Sequence, residues 1–388
     1  MLLDGSGQAL VPPLGLYVHY PWCLQKCPYC DFNSHAQGRL ADGDYVQALL
    51  ADLKAQLDGQ PVRPIGSIFI GGGTPSLLSG PALAELLQGI AGLAELSAQL
   101  EISLEANPGA VDAGHFAAYR AAGVNRLSIG VQSFDDGCLR RIGRVHDAAQ
   151  ALRAIELARA AGFDNLNIDL MFGLPGQTQA QALADLHQAL ALGPEHLSWY
   201  QLSLEPNTPF YHSPPSLPDD ESLADIQEQG QGLLEQAGLR QYEVSAYARP
   251  GRACGHNLNY WRFGDYLGIG AGAHGKLTQA PGRIRRYARP RGPSRYLANP
   301  AARPSYRILS ASELPLEFML NALRLKQGVD LGLFGQRTGL DPAVIAAPLQ
   351  QAHDLGLLRP GPERIQASPL GWRFLNDLIG LFAEQAGP

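Results

Sequence analysis

Residues 17–35 read Tyr17-Val18-His19-Tyr20-Pro21-Trp22-Cys23-Leu24-Gln25-Lys26-Cys27-Pro28-Tyr29-Cys30-Asp31-Phe32-Asn33-Ser34-His35. The run Leu16–His19 has the β-rich character of a strand. A loop follows with thiols at C-x3-C-x2-C, namely Cys23, Cys27 and Cys30. Such a loop can wrap three thiolates around one face of a cuboidal iron–sulfur cluster, and thiolates are the usual ligands of such clusters. No fourth cysteine is near, so a cluster held here keeps one iron open, as catalytic metal sites keep a position open. With His35 the same thiols also read as a zinc site, C-x3-C-x2-C-x4-H. Zinc ribbons and knuckles are small independent modules, whereas this loop opens a barrel-sized pattern.

That pattern alternates short β-rich runs with amphipathic stretches. The runs are Leu16–His19, Ser67–Ile70, Ile102–Glu105, Arg126–Ile129, Leu166–Leu170 and Leu197–Leu202. Between them lie helical patterns at Asp44–Leu57, Pro81–Leu93, His115–Ala122, Ala148–Ala161 and Gln179–Leu192. Repeated strand–helix–strand units imply parallel strands joined by right-handed crossovers. We expect a partial (β/α)6 TIM-like barrel within the α/β class; a doubly wound sheet is the alternative. Either fold gathers function where strands end. Polar motifs fall there: the thiol loop after the first run, Gly71–Thr74 after the second, Glu105–Asn107 at the third, Gln132 after the fourth and Asp169 at the fifth.

The composition, 45% hydrophobic and 17% charged, fits a folded globular chain and excludes long disorder. Met1–Pro12 reads as a short loose tail. There is no run of 18 apolar residues and no secretory signal pattern, so the expected location is the cytoplasm. Five cysteines, three of them clustered, make a metal site rather than a disulfide framework; Cys138 and Cys254 stand apart.

The net charge of −6 hides an asymmetry. Between Asp265 and Glu313 there is no acid, while Lys276, Arg283, Arg285, Arg286, Arg289, Arg291, Arg295, Arg303 and Arg307 are basic. Such a run attracts an anionic partner or is a solvated, Pro-rich linker. The expected division is a barrel over 1–275, a basic linker over 276–307 and a small, mainly helical, winged-helix-like domain over 308–388. That last region offers helices at Ser312–Leu325, Leu331–Thr338 and Pro342–Leu355, a hairpin at Leu358–Ala367 and a final helix at Leu370–Gln385. From Ala301 onward there are eight basic and eight acidic residues, so no nucleic-acid footprint exists and a packing or docking role is expected.

C-x3-C-x-Tyr29-Cys30 together with Gly71-Gly72-Gly73-Thr74-Pro75 resembles the radical S-adenosylmethionine superfamily. Nearly the whole chain is similar to its coproporphyrinogen III oxidase-like branch, through Tyr17-Val-His-Tyr-Pro21, Glu105-Ala-Asn-Pro108, Asn125–Gln132, Asn167–Pro175 and Asp265–Gly270. The resemblance implies a [4Fe–4S] cluster on Cys23, Cys27 and Cys30, with S-adenosylmethionine chelating the open iron and cleaved reductively. It implies cofactor contacts from Tyr17, Tyr29, Gly72, Gly73, Thr74, Glu105, Gln132, Arg144, Asp169, Ser203 and His274. The residue types suit the task. Glycines let backbone approach closely, a carboxylate suits ribose hydroxyls or an ammonium, and Arg144 offers a planar fork to a carboxylate. Singly, each also reads as a tight turn, a rim charge or a core aromatic.

Within the branch, the oxidases carry an N-terminal extension and a further cysteine two residues past the third cluster cysteine. Here only 16 residues precede Tyr17, and Phe32 takes the cysteine's place. The chain resembles instead the heme chaperones of the branch, whose H-N-x-x-Y-W heme motif is matched by His256-Asn257-Leu258-Asn259-Tyr260-Trp261. That implies heme as a ligand with His256 as axial ligand and Tyr260 and Trp261 against the porphyrin. It also implies heme-acceptor proteins such as membrane respiratory enzymes as partners, with the basic run as a docking or peripheral membrane surface. By its residues alone, His256 also reads as a loop cap, and Cys254 as a rival ligand or a small buried residue.

Overall fold

The computed structural model describes residues 11–36 and 42–383. Residues 1–10, most of the expected tail, lie outside them. All six strand runs form, the first five longer than their sequence signals and the sixth shifted by one residue: β1 Leu14–Tyr20, β2 Ile65–Gly72, β3 Leu96–Ala106, β4 Arg126–Gln132, β5 Leu166–Phe172 and β6 His196–Gln201. They pair in parallel, in chain order. β1 and β5 are covered on both faces, which is why each reads as a continuous run rather than an alternation.

The crossover helices start at side-chain caps. Ser79 accepts from Ala82 N ahead of α2 (Gly80–Leu93), the first helix, α1, being Asp42–Leu57. Asp112 accepts from His115 N before α3 (Ala113–Ala122), which ends on Gly123 at φ +109°. Asp147 and Thr178 form full capping boxes with Gln150 and Gln181, opening α4 (Ala148–Ala160) and α5 (Gln179–Ala191). Leu16, Val18, Ile70, Leu104, Leu127, Ile129 and Ile168 are fully buried in one core with these helices. Each such side chain contributes about 1.5–3 kcal/mol by leaving water.

The sheet runs further than six strands. After helix α6 (Asp220–Gln236) come β7 Arg240–Glu243 and β8 Ala246–Ala248, then helix α7 Gly255–Trp261. β9 Asp265–Ile269, β10 His274–Ala280, β11 Arg283–Ala288 and β12 Tyr306–Ile308 follow. The order is β12-β11-β10-β9-β1-β2-β3-β4-β5-β6-β8-β7. β9 lies parallel to β1, so the core of the sheet has seven parallel strands; the outer strands on both sides are antiparallel. The partial barrel is thus confirmed, with a mixed sheet around it.

The stretch expected as a basic linker, 276–307, is instead folded into this sheet as most of β10, β11 and a short helix at Pro293–Ala298. Four of its nine bases, Lys276, Arg286, Arg289 and Arg307, pair with acids outside the stretch. Lys276 Nζ lies 3.1 Å from Asp265 with both side chains buried, and Arg289 Nε lies 3.1 Å from Asp52. Arg286 pairs with Glu317, and Arg307 with Glu313. A local reading sees Asp265 and Glu313 as the ends of the run, not as partners of its bases, and does not connect Asp52 with it.

Beyond it, helices α8 Leu314–Ala322, α9 Leu331–Thr338 and α10 Ala346–Asp354 form a second core around Phe318, Phe334 and Ile345. Phe263 and Ile284 of the sheet region join that core. Leu358 bridges Ala367 as the expected hairpin requires, and Arg364–Ile365 also pairs with Val329–Asp330. The expected last helix is two short ones, Pro369–Arg373 and Leu375–Gly380, broken at Phe374; residues 384–388 lie outside the described residues.

Candidate functional site

The thiol loop is pinned at both ends. Trp22–Cys23 pairs with His35–Ala36, and Thr74 N donates to Trp22 O at 2.7 Å. Asn33 Nδ2 donates to Ala271 O and Arg291 O, each at 2.9 Å, tying the loop to the β9–β11 region. Gly72, at φ +116°, and Gly73 are required by this packing: a Cβ would stand 2.6 Å from the His19 ring or 2.5 Å from Trp22 O. The glycine run therefore answers first to the chain's own close approach.

Cys23, Cys27 and Cys30 are free thiols that line one cavity of about 410 Å3. Tyr29, Gly72, Gly73, Thr74 and Glu105 share that lining, as do Gln132, Arg144 and Asp169. Cys30 Sγ lies 3.9 Å from Ser34 Oγ, and Arg144 Nη1 donates to Cys27 Sγ at 3.8 Å. Burial pushes the Cys23 and Cys30 thiols up, against hydrogen bonds to hydroxyls that pull them down. A metal reverses that balance, because a coordinating thiol gives up its proton. Three thiols on one wall are the donor set a cluster with an open iron needs, so the residues fit that group.

The opposite wall supplies polar groups from strand ends. Burial, with Asp169 adding to it, raises Glu105 to about 8, so this carboxyl keeps its proton at neutral pH while its Oε2 accepts from Gly72 N at 3.1 Å. Asp169 is also pushed up by burial and accepts from Ser128 Oγ at 3.0 Å and Asn167 Nδ2 at 2.7 Å. Gln132 sits at φ +71°, an uncommon backbone for a non-glycine, and accepts from Tyr200 OH at 2.9 Å. Arg144 Nη2 donates to Gly130 O at 2.7 Å, while its buried Nε has no hydrogen-bond partner among the described residues. A spare guanidinium donor beside a protonated acid suits a zwitterionic ligand. The arrangement fits S-adenosylmethionine.

A second cavity of about 640 Å3 adjoins the first, sharing Phe32, Gly72 and Glu105. Tyr17 and His274 lie here rather than with the thiols. Ser203 lines neither cavity and is exposed beyond the end of β6; Ser198, inside that strand, lines the first. Sequence reading also missed Ser128, Tyr200 and Asn257 in the first cavity. Alternation along β4 back from the recognised Gln132 would have pointed to Ser128.

His256 lines neither cavity. It is 1% exposed, with Nδ1 2.9 Å from Ser67 Oγ and Nε2 3.1 Å from Tyr260 OH. Its ring stacks on Phe69 at 5.2 Å, and burial lowers its pKa to about 3, with Arg126 adding to the shift. Glu101 fixes the start of α7 by accepting from Gly255 N and His256 N. Cys254 is buried against the same carboxylate and its thiol is pushed up to about 12 by burial. Trp261, expected against a porphyrin, packs on the second core with Arg324 4.5 Å from its ring centre.

The Radical SAM superfamily model matches residues 17–189, and the HemN C-terminal domain model matches 309–374. The class is therefore a radical S-adenosylmethionine protein with a HemN-type C-terminal domain. Heme chaperone HemW of Escherichia coli (strain K12) is 52% identical over 373 residues, covering 96% of this chain and 98% of its own. Heme chaperone HemW of Haemophilus influenzae is 48% identical over 377 residues, with 96% and 98% covered. The chain belongs to the HemW family. Among solved structures, coproporphyrinogen III oxidase (HemN) from Escherichia coli matches in fold at a TM-score of 0.80 and 24% identity, over 96% of this chain and 90% of that one.

Proposed function

We propose that this protein binds heme and passes it to acceptor proteins in the cytoplasm, membrane respiratory enzymes among them. It would do so while carrying a [4Fe–4S] cluster on Cys23, Cys27 and Cys30 and an exchangeable S-adenosylmethionine. The observation that carries the reading is the pair of adjoining cavities. One holds the three thiols; the other is larger, lined by aromatic rings and free of cysteine. The family's printed name, heme chaperone, supports the same reading.

In the first cavity, Arg144 and Gln132 would orient S-adenosylmethionine, and protonated Glu105 would donate a hydrogen bond to it. Asp169, Tyr29 and Gly72–Thr74 complete the wall. Bound there, the cluster and its ligand supply one-electron chemistry; the protein orients them and excludes water. Phe32 stands where the oxidases have another cysteine, which supports transfer over porphyrinogen oxidation. Among the described residues no helix is long and apolar enough to cross a membrane. Arg283, Arg291, Arg295 and Arg303 are exposed and make no ion pair among the described residues. They are the part of the basic run able to meet an anionic acceptor or membrane surface. The 308–388 region serves packing or docking.

The test is transfer. Protein loaded with hemin is mixed with a heme-depleted respiratory cytochrome, and the acceptor's absorption spectrum and activity are followed. Restoration supports the proposal. No restoration, together with loss of coproporphyrinogen III under anaerobic reducing conditions, would instead make the chain an oxidase.

A further inference from the structure

A row of hydrogen-bonded side chains links Asp169 on β5 to the start of α7. Asp169 Oδ1 accepts from Asn167 Nδ2 at 2.7 Å. Asn167 Oδ1 lies 2.6 Å from His196 Nδ1, and His196 Nε2 lies 2.8 Å from Tyr242 OH. The Tyr242 hydroxyl accepts from Cys254 N, just before α7, at 3.4 Å. Asn167 and His196 are each 1% exposed and line neither cavity, so they reach a ligand only through Asp169.

The chemistry of the groups fixes the direction of the row. The Cys254 amide can only donate, so the Tyr242 hydroxyl gives its own proton to His196 Nε2. Burial, with the nearby Arg126 guanidinium adding to it, holds the His196 pKa well below its ordinary value, so the ring is neutral and has one N–H. With Nε2 accepting, that hydrogen sits on Nδ1 and goes to Asn167 Oδ1. Ser198 Oγ donates to the same oxygen at 3.1 Å. The Asn167 amide nitrogen is thereby turned to Asp169 Oδ1 and Ser128 Oγ, each 2.7 Å away. Ser128 Oγ in turn donates to Asp169 Oδ2 at 3.0 Å. Every proton in the row points toward Asp169. A flipped amide would set the Asn167 oxygen against that carboxylate instead.

From this arrangement we propose that His196, supported by Tyr242, is a positioning residue for S-adenosylmethionine: it locks the Asn167 amide so that the Asp169 carboxylate is held in one orientation and offered to the ligand as an acceptor. The proposal rests on the S-adenosylmethionine site assigned above and adds the residues that hold one of its walls. Asp169 then complements Glu105, the protonated carboxyl on the same lining, which can donate. An acceptor and a donor at fixed places suit a ligand that carries hydroxyls, an ammonium and a carboxylate.

The test measures S-adenosylmethionine affinity by calorimetry on full-length, cluster-loaded protein, with iron content and thermal melting read for each variant. His196→Leu removes both ring nitrogens and should weaken binding about tenfold or more. His196→Asn puts an amide N–H where Nδ1–H stood and should bind within about threefold of wild type. Tyr242→Phe, two bonds further from the ligand, should weaken binding about threefold with the cluster retained. Wild-type affinity in His196→Leu would overturn the proposal. So would a loss in His196→Asn as large as that in His196→Leu, because bulk rather than the donor would then matter. If His196→Leu does not load its cluster, the other two variants decide: full affinity in Tyr242→Phe, or a tenfold loss in His196→Asn, overturns the role. If the wild type binds no S-adenosylmethionine, the cofactor site itself fails, and the positioning role with it.

Discussion

The two cavities touch at Phe32, Gly72 and Glu105, yet they are assembled by different means. The thiol-side cavity draws most of its wall from the ends of β1 to β6, each contributing residues within a short reach of its own strand, with Glu243, Ser245 and Asn257 added from beyond them. The larger cavity takes half of its wall from α7, β9 and the β10–β11 hairpin, more than 200 residues downstream of the thiol loop. The first is a property of the barrel plan. The second exists only because β9 docks parallel to β1 and carries the hairpin with it. A site built from consecutive strand ends survives insertions elsewhere; one built on an added sheet edge depends on the polar anchors that hold that edge.

The contrast is broken most severely by removing a thiol. Cys27→Ala should abolish cluster assembly, read as iron and sulfide content near zero, while ferric heme still binds the other cavity. Simultaneous loss of heme would show that the two cavities are one site. Next in size is Asp265→Ala. Asp265 is fully buried on β9, where it holds Lys276, Arg63 and Thr278. Its removal leaves Lys276 buried and uncompensated, at a cost of about 3–5 kcal/mol. Chemical denaturation measures that loss, which should weaken heme binding before cluster binding.

Arg144→Ala should have a smaller, local effect. Losing a charge-assisted bond worth about 1.5–3 kcal/mol lowers S-adenosylmethionine affinity about 10–100-fold by calorimetry. Heme affinity should stay within about twofold if the cavities are separate. Glu105→Gln on the shared wall changes the pH dependence of stability rather than the architecture of either cavity. Folded Glu105 titrates near 8 against an ordinary 4.5, so the folded state keeps a proton that the unfolded state releases. Wild-type stability therefore falls as pH rises from about 4.5 through 8. The Gln variant lacks this term, so its stability relative to wild type should climb across that window and level off above it. A flat difference across the window would mean that Glu105 is not held neutral.

How much of this was legible follows from sequence distance. The six strand runs and the gathering of polar motifs at strand ends were local signals. β9 was visible only as the motif Asp265–Gly270, because a five-residue run flanked by glycines gives little strand signal. The basic run was misread as a linker because its pairing is set by the packing: Asp52 reaches Arg289 from α1, and Asp265 and Glu317 meet Lys276 and Arg286 once β9, β10, β11 and α8 come together. Ser203 and Ser198 were separated by where β6 ends, which hydrophobic pattern alone places poorly.

By itself the sequence determined the thiol loop, the open-iron ligand count and the barrel that presents them. Those depend on spacing within a few residues and on hydrophobic period. Only the tertiary structure decided which histidine faces a cavity. His256 lies in the motif expected to meet heme, but its partner Ser67 is 189 residues away, and that bond, with Tyr260, turns the ring inward. His274, expected as a cofactor contact, does line a cavity, as does His19. His274 reaches that lining because the sheet brings its strand beside β9, and it makes no side-chain hydrogen bond among the described residues.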